Sequence, residues 1–362
     1  AYAETPSAGI TPSVAAPSAV LMEKRTGEVL YEKKAHDHYF PASVTKVMTL
    51  LLIAEDIESG KISLDDTVTA SKRAASFGGS CVYLAEGEQM TVSDMLKCIA
   101  VVSANDCAVA MAEHLSGSEE LFVQRMNERA SALGLEDTHF TNCTGLFDDN
   151  NHYTSAYDVA VMSRELLRHE FIKEYTTIWM DSIRNGEFGL SSTNRLVYWY
   201  PGCTGLKTGY TSTAKYCISA TAERDGVEYI AVIMHSETAD SRNADAQALL
   251  DYAFANYTLC SLRSGTPLPA IPVELGRAAS VQAVYGGPEY ALTAKTGAEP
   301  EYTLDIESSA AAPVHAGDRL GTLTVRSGGK VVASVPVLAG EDVPRLGVFG
   351  IVALLAGRMV GL

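Results

Sequence analysis

The sequence lacks three features that mark common functional classes. Its seven cysteines include no Cys-x-x-Cys pair, its apolar runs all fall short of the ~20 residues of a membrane-spanning helix, and its basic residues are outnumbered by acidic ones. Without the cysteine pair, no zinc or thiol-redox motif is indicated. Because a nucleic-acid partner requires a clustered basic face, the formal net charge of -16 at pH 7 argues against one.

The composition is that of a folded protein. The chain has 362 residues, of which 47% are hydrophobic and 20% are charged, and both values lie within the globular range. A chain of this length has room for about two domains, each with a core of its own.

The first residues predict export from the cytoplasm. Ala1-Tyr2-Ala3 has the small-x-small pattern of a signal-peptidase site, so we expect a secreted protein whose signal has been removed; the alternative is that an arbitrary boundary produced this pattern. Residues 1–18 are rich in Ala, Pro, Ser and Thr, which predicts an unstructured leader. Seven cysteines are unusual in a secreted chain, and we interpret them as buried small hydrophobic residues.

Apolar patterning predicts an α+β domain over residues 19–258. Alternating runs indicate one hairpin over 19–23 and 29–31 and a second over 216–222 and 228–234. Helical periodicity occupies the following segments: 92–114, 119–133, 155–167 and 244–256. Because strands lie at both ends with helices between them, we expect a single sheet built from the two ends of the domain.

The chain changes character after about residue 259. Short alternating runs separated by Gly and Pro predict a small all-β domain over residues 259–340, with a tight turn at Gly328-Gly329. Residues 341–362 contain a 12-residue apolar stretch, 346–357. We expect this C-terminal segment to act as a membrane anchor, as an interfacial helix or as part of a spanning one; the alternative is a helix packed on the β domain.

Ser43 and Lys46 form the first candidate catalytic pair. At the start of a helix, residues three apart lie on one face, so the amine can approach the hydroxyl and act as its base. The same Ser-x-x-Lys spacing recurs at Ser212 and at Ser327, so spacing alone is weak support. The match at Ser327 straddles the Gly-Gly turn and that at Ser212 lies in a loop, whereas only Ser43 begins an apolar helix.

Two further triplets of polar residues follow Ser43 along the chain. Ser103-Ala104-Asn105 supplies a second hydroxyl and an amide, and Lys207-Thr208-Gly209 supplies a cation and a hydroxyl that can bind a carboxylate. Each triplet type recurs elsewhere in the chain and is uninformative alone. Ser103 follows Ser43 by 60 residues and Lys207 follows Asn105 by 102, and this order is the stronger signal.

With these three motifs the chain resembles the low-molecular-mass penicillin-binding proteins that are D-alanyl-D-alanine carboxypeptidases. Other stretches that carry the resemblance are Leu30-Tyr-Glu-Lys33, Thr138-His-Phe-Thr-Asn142 and Gly205-Leu-Lys-Thr-Gly-Tyr-Thr211. The resemblance runs from about residue 18 to the C-terminus. It implies a β-lactamase-like transpeptidase domain, in which a helical subdomain is inserted into an antiparallel sheet, followed by a small β domain. It also implies a reaction that requires no metal or organic cofactor.

The resemblance implies a role for each motif residue. Ser43 is expected to attack the carbonyl of the penultimate D-alanine, with Lys46 as general base. Ser103 is expected to pass a proton to the departing D-alanine, and Asn105 to orient Lys46 and the substrate.

The Lys-Thr-Gly strand is expected to bind the other side of the substrate. Lys207 and Thr208 would hold the terminal carboxylate, and Gly209 would let the substrate lie along the strand. The backbone N–H groups of Ser43 and Tyr210 would form the oxyanion hole.

Two weaker candidates and two departures complete the comparison. Arg242 matches a family arginine that helps attract the carboxylate, although an exposed helix-start arginine is an equal alternative. His152 matches a position near the site, although a structural histidine is the favoured interpretation. Thr204 stands where an aspartate commonly precedes Gly205, and Lys215 stands where glycine usually follows alanine.

These features predict a secreted, membrane-tethered carboxypeptidase that trims peptidoglycan stem peptides. Its expected partners are acyl-D-Ala-D-Ala peptides, β-lactams as covalent inhibitors, and the outer face of the cytoplasmic membrane. The alternatives are a serine β-lactamase, a peptidoglycan endopeptidase and a non-catalytic β-lactam sensor.

Overall fold

The structure, a computed structural model, describes residues 11–352 of the chain. The chain divides between Ala255 and Asn256 into two units, and each has its own apolar core.

The first unit combines a sheet with helices. Its strands are β1 Ser18–Glu23, β2 Val29–Lys33, β3 Thr67–Thr69, β4 Gln89–Thr91, β5 Met180–Ile183, β6 Phe188–Ser191, β7 Cys203–Thr211, β8 Lys215–Arg224 and β9 Val227–Ser236. Its helices are α1 Lys46–Glu58, α2 Lys72–Ala75, α3 Val92–Val102, α4 Asn105–Ser116, α5 Glu119–Ala132, α6 Ala156–Leu166, α7 Lys173–Thr176, α8 Leu196–Trp199 and α9 Ala239–Asn256.

The central sheet is antiparallel, with strand order β2-β1-β9-β8-β7. Strand β1 pairs with β9, so the two ends of the unit meet in one sheet, which confirms the predicted α+β arrangement. All six residues of β1 are buried, because β9 and β2 flank it and α6 packs on it. Strand β7 lies at the edge of the sheet, so its outer backbone groups are available for a ligand.

The predicted helical stretch 92–114 is two helices instead of one. Ser103 has φ 63° and ψ 34°, a left-handed conformation that ends α3, and α4 starts at Asn105. The apolar periodicity continues across the break because both helices bury their apolar faces in the same core. The break places Ser103 and Asn105 together at one corner.

Helix α1 is buried on every side. Its residues from Lys46 to Ala54 are all buried, so the helix runs through the core of the unit. A helix held this tightly fixes the position of whatever its first turn carries.

The expected leader over residues 1–18 is not supported where it can be compared with the structure. Val14 and Ala16 are buried, and the N–H groups of Ala15 and Ala16 donate to the Asp245 carboxylate at 3.0 and 2.8 Å. Residues 11–17 therefore belong to the folded unit, because α9 supplies an acceptor for their backbone. Residues 1–10 lie outside the described residues.

The second unit is all β, as predicted. Its strands are β10 Tyr257–Ser261, β11 Ala270–Glu274, β12 Ser280–Tyr285, β13 Tyr290–Ala294, β14 Glu301–Ile306, β15 Ala310–Ala311, β16 Arg319–Ser327 and β17 Lys330–Ala339. Six strands form a sheet in the order β14-β16-β17-β12-β11-β15, and β10 pairs with β13. Gly328 and Gly329 both have positive φ and join β16 to β17, so Ser327 and Lys330 lie at a hairpin tip.

The apolar C-terminal stretch is described only as far as Val352. Helical backbone begins at Val348, and Val348, Phe349 and Val352 are exposed. Between residues 11 and 352 the structure contains no helix that is both long and apolar enough to cross a membrane.

Candidate active site

Ser43 and Lys46 lie where the chain enters α1. A 3-10 turn, Ala42–Thr45, carries Ser43, and Lys46 is the first residue of the helix. Lys46 Nζ lies 3.1 Å from Ser43 Oγ, so the two side chains are in hydrogen-bond contact. Ser43 is partly exposed whereas Lys46 is fully buried, so the serine can meet a substrate while the amine stays out of water.

The Lys46 amine is held by three acceptors. Besides Ser43 Oγ it donates to Asn105 Oδ1 at 2.6 Å and to the Thr144 carbonyl at 2.8 Å. The last two are carbonyl oxygens that can only accept, so they orient two N–H bonds in either protonation state. When the amine loses its third proton, its lone pair therefore points at Ser43 Oγ.

Burial lowers the pKa of Lys46 to about 7, because the surrounding protein cannot solvate an ammonium as water does. Nearby Cys143, Cys81 and Asp106 oppose this effect only in part. A lysine with a pKa near neutrality is available as a neutral base, which a lysine in water is not.

Asn105 and Ser103 reach the same place from the break between α3 and α4. Asn105 Nδ2 donates to the Gly78 carbonyl at 2.9 Å, which turns the amide oxygen toward Lys46. Ser103 is buried, and its Oγ has no hydrogen-bond partner within residues 11–352. A buried hydroxyl without a partner is costly, and a substrate group supplying one would be stabilised there.

Lys207 and Thr208 lie on the edge strand β7. Lys207 is buried, and its Nζ donates to the Thr208 carbonyl at 2.9 Å. Burial, followed by the charges of Lys46 and Arg242, holds the pKa of Lys207 well below its usual range. Thr208 Oγ1 donates to Thr193 Oγ1 at 2.7 Å. An anionic ligand beside Lys207 would offset both effects and favour its charged form, so the site favours such a ligand.

A glycine is required at position 209 by the turn that carries Ser43, whereas the substrate was the expected reason. A Cβ at this position would lie 2.8 Å from the Pro41 carbonyl oxygen and 3.0 Å from the backbone nitrogens of Ser43 and Val44. These are backbone atoms that cannot move aside independently of the turn. The glycine therefore lets β7 approach the turn that carries Ser43.

Tyr210 and Arg242 meet at Tyr216. The exposed Tyr210 ring lies 4.4 Å from the Tyr216 ring, and the Arg242 guanidinium lies 6.0 Å from the same ring. Arg242 is buried and its Nε and Nη2 donate to Asn243 Oδ1 at 3.1 and 3.0 Å. Burial lowers the pKa of Arg242 to about 10. Its burial excludes the alternative of an exposed arginine at the start of the helix.

His152 contacts the turn Ala42–Thr45, called the serine turn because it carries Ser43. Its Nδ1 accepts from the Thr141 N–H at 2.9 Å, so Nε2 carries the hydrogen and donates to Thr45 Oγ1 at 2.8 Å. Burial lowers the pKa of His152 to about 4, so the ring stays neutral at pH 7. These contacts match the structural interpretation of His152.

Residues 138–142 carry part of the resemblance, but the sequence assigned no role to the loop 142–145, which contacts Lys46. Asn142 Oδ1 accepts from the N–H groups of Thr144 and Gly145 at 3.1 and 2.6 Å, which shapes the turn that presents the Thr144 carbonyl to Lys46. Gly145 has φ 72°, and a Cβ there would overlap the Ala42 carbonyl oxygen. The Asn-x-x-Gly pattern is a turn signal, but nothing in it names Lys46 as its partner.

Comparison with known families agrees with this arrangement. Residues 4–238 match the family model for D-alanyl-D-alanine carboxypeptidase, and residues 261–345 match the model for the C-terminal domain of penicillin-binding protein 5. A D-alanyl-D-alanine carboxypeptidase of Bacillus subtilis, DacF, is 43% identical over 338 residues, which are 92% of this chain and 87% of that protein.

Solved structures show the same fold. Penicillin-binding protein 5 from Haemophilus influenzae superposes with a TM-score of 0.80 at 28% identity, covering 93% of this chain and 100% of that one. Penicillin-binding protein 6B from Escherichia coli superposes with a TM-score of 0.75 at 29% identity, covering 92% of this chain and 98% of that one. Penicillin-binding protein D2 from Listeria monocytogenes, in an ampicillin-bound form, superposes with a TM-score of 0.62 at 29% identity. The match covers 68% of this chain and 100% of that one.

The pKa of Lys46 predicts the pH dependence of acylation. We expect the rate at which a β-lactam acylates the protein to rise with pH, to be half-maximal near the Lys46 pKa of about 7 and to level off above it, because only the neutral amine accepts a proton. Asn105→Asp should move this midpoint to higher pH, since a carboxylate beside Lys46 favours the ammonium. The exposed Asn185→Asp is the control and should leave the midpoint unchanged. A flat wild-type profile between about pH 5.5 and 8.5 would contradict the role of Lys46 as base.

The close approach at Gly209 predicts the effect of a single methyl group. Gly209→Ala should slow acylation by roughly 100-fold, because the added Cβ displaces the turn that positions Ser43. Gly189→Ala is the matched control, since a Cβ there meets nothing within 4 Å. Stopped-flow or quenched mass-spectrometric measurement of adduct formation checks both variants, and an unimpaired Gly209→Ala protein would refute the steric argument.

Proposed function

Since the chain belongs to the family of serine-type D-alanyl-D-alanine carboxypeptidases, we propose that it removes the terminal D-alanine from uncross-linked peptidoglycan stem peptides through an acyl-enzyme on Ser43. The observation that carries the proposal is the contact of 3.1 Å between Ser43 Oγ and a buried lysine whose pKa is about 7. This pair is a nucleophile with its base in place.

Substrate binding begins with the attraction between the negatively charged end of the peptide and basic side chains of the site. The terminal carboxylate of the peptide is drawn to Lys207 and Thr208, and Arg242 adds to the local positive potential. The peptide backbone lies along the free edge of β7, as an added strand does. This alignment presents the last peptide bond to Ser43.

Acylation then uses the geometry around Lys46. The neutral amine takes the proton from Ser43 Oγ, which attacks the carbonyl carbon of the penultimate D-alanine. The oxyanion accepts hydrogen bonds from the N–H groups of Ser43 and Tyr210. The C–N bond breaks, the departing amine receives a proton through Ser103, and Lys46 returns a proton to Ser103.

Deacylation repeats these steps with water. Lys46 takes a proton from the water as it attacks the ester carbonyl, and the proton goes to Ser43 Oγ as the ester bond breaks. The products are free D-alanine and a peptide shortened by one residue.

β-Lactams fit the same sequence of steps as covalent inhibitors. Their scissile C–N bond lies in a ring, so the leaving amine stays attached after Ser43 is acylated and remains in the path of the attacking water. The match to a C-terminal domain model of a penicillin-binding protein favours carboxypeptidase function over a serine β-lactamase.

We also propose that the protein acts outside the cytoplasmic membrane and is attached to its surface by the C-terminal segment. The substrate lies on that side of the membrane. The exposed side chains of Val348, Phe349 and Val352 at the start of a helix support an interfacial contact.

The acyl-enzyme proposal predicts where penicillin attaches and what the enzyme releases. We expect one benzylpenicillin adduct, on the tryptic peptide containing Ser43, and D-alanine release from a pentapeptide. Ser43→Ala should abolish both, whereas Ser212→Ala and Ser327→Ala, the other two serines with Ser-x-x-Lys spacing, should retain them. Mass spectrometry and a D-alanine assay measure the outcomes.

Each other outcome of that experiment selects a different function. Monomer release from a cross-linked dimer indicates an endopeptidase, and rapid penicillin turnover indicates a β-lactamase. An adduct without D-alanine release indicates a sensor. An adduct that persists in Ser43→Ala would reject Ser43 as the nucleophile.

The membrane proposal predicts binding to lipid vesicles. The full chain should sediment with vesicles of phosphatidylglycerol and phosphatidylcholine, because its C-terminal segment buries apolar side chains in the interface. A chain ending at Arg345 should stay in the supernatant and keep its acylation rate. Equal sedimentation of both chains would remove the segment as the anchor.

A further inference from the structure

Residues 78–84, which lie between α2 and β4, contact Asn105 and are called the asparagine loop. The Gly78 carbonyl accepts from Asn105 Nδ2 at 2.9 Å, and the Ser80 carbonyl accepts from the Asn105 N–H at 2.7 Å. Gly79 has φ 74°, and a Cβ there would lie 2.9 Å from Asn105 Nδ2. The position of this loop therefore determines how the Asn105 amide is held.

The asparagine loop is anchored by the carboxylate of Asp106, which is buried. The backbone of the loop is irregular, so its N–H groups need partners outside a helix or sheet. Asp106 Oδ2 accepts from the N–H groups of Val82 and Leu84 at 3.2 and 3.0 Å. Its Oδ1 accepts from the Cys107 N–H at 2.9 Å, in the first turn of α4. The carboxylate therefore fastens the loop to the helix turn that carries Asn105.

Arg184 holds the same loop from another element. It lies at the tip of the hairpin formed by β5 and β6, and its Nη1 donates to the Val82 carbonyl at 2.9 Å. Val82 is thus held through its N–H by Asp106 and through its carbonyl by Arg184. A loop held by two elements keeps one arrangement, as the support of a catalytic group must.

The charge of Asp106 also acts on Lys46. Cys143, Cys81 and Asp106 raise the pKa of Lys46 against the larger effect of burial, which lowers it to about 7. Lys207, on β7, also interacts with the Lys46 amine. Removing the Asp106 charge while keeping the shape of the side chain should therefore lower the pKa of Lys46 further.

We propose that Asp106 is a positioning residue for acylation: it anchors the asparagine loop, and the loop fixes the Asn105 amide that orients Lys46. The inference rests on the proposed function, because acylation of Ser43 is the step that it concerns. The hydrogen bonds of Asp106 are to backbone N–H groups, so its effect on the reaction passes through Asn105.

Asp106→Asn tests the inference, because it removes the charge and turns an NH2 group toward one of the N–H donors. Above about pH 8, the rate of acylation by benzylpenicillin should fall roughly tenfold, and the pH midpoint should lie below that of the wild type. In an Asn105→Ala background the same substitution should change the rate by less than about twofold, because the group that Asp106 positions is gone. Asp94→Asn is the matched control: Asp94 also lies in the first turn of a helix, and its loss should leave rate and midpoint unchanged.

A second variant and a second measurement cover the case in which Asp106→Asn does not fold. Arg184→Gln releases the same loop from the hairpin, and it should slow acylation only in proteins that carry Asn105. Selective 15N labelling of asparagine gives a readout that needs no catalysis, and Asn105→Ala identifies the signal of Asn105 by removing it. The side-chain amide protons of Asn105 should exchange with solvent faster in either loop variant than in the wild type.

The outcomes separate this inference from the proposed function. A wild-type acylation rate in Asp106→Asn, or an equal loss in the Asn105→Ala background, overturns the inference; the same outcomes in Arg184→Gln decide it if only that variant folds. A midpoint above that of the wild type also overturns it, because such a shift means that water has reached Lys46. If the wild type forms no benzylpenicillin adduct, the proposed function fails. The exchange of the Asn105 amide protons then decides the inference, and unchanged exchange overturns it.

Discussion

The removal of the Lys46 amine from water is the constraint on which the rest of this structure depends. An ammonium transferred into a protein interior loses its hydration, and this cost drives the pKa of Lys46 to about 7. The cost is tolerated because Asn105 and Thr144 offer oxygen acceptors at short range. Helix α1, which is buried from Lys46 to Ala54, holds the amine in that place.

Three other parts of the chain are shaped by their approach to Lys46 and Ser43. The left-handed residue Ser103 ends α3 and lets α4 start with Asn105 pointing at the amine. Gly209 lets the edge strand β7 approach the serine turn, and Gly145 does the same for the loop on the other side. A serine in the left-handed region and two glycines beside which a Cβ would not fit therefore bring three separate segments to one point.

The site also brings three basic side chains, Lys46, Lys207 and Arg242, close enough together to affect one another. Lys46 and Arg242 both act on Lys207, whose pKa falls well below its usual range. An arriving carboxylate relieves this repulsion, so binding of the substrate terminus is favoured by the same electrostatics that make the free site unfavourable. Because that charge is local, the acidic balance of the whole chain does not oppose it.

Local patterns in the sequence determined the two hairpins of the first unit and the strands of the second, because alternation and turn residues act over a few neighbours. The order of the three motifs could also be read directly from the sequence. They also favoured Ser43 over the two other serines of equal spacing as the candidate nucleophile. These patterns did not predict the break at Ser103, the folded conformation of residues 11–17 or the contact of Gly209 with the turn that carries Ser43. Each depends on a partner more than 50 residues away or on a core shared by two elements, and only the folded chain brings those groups together.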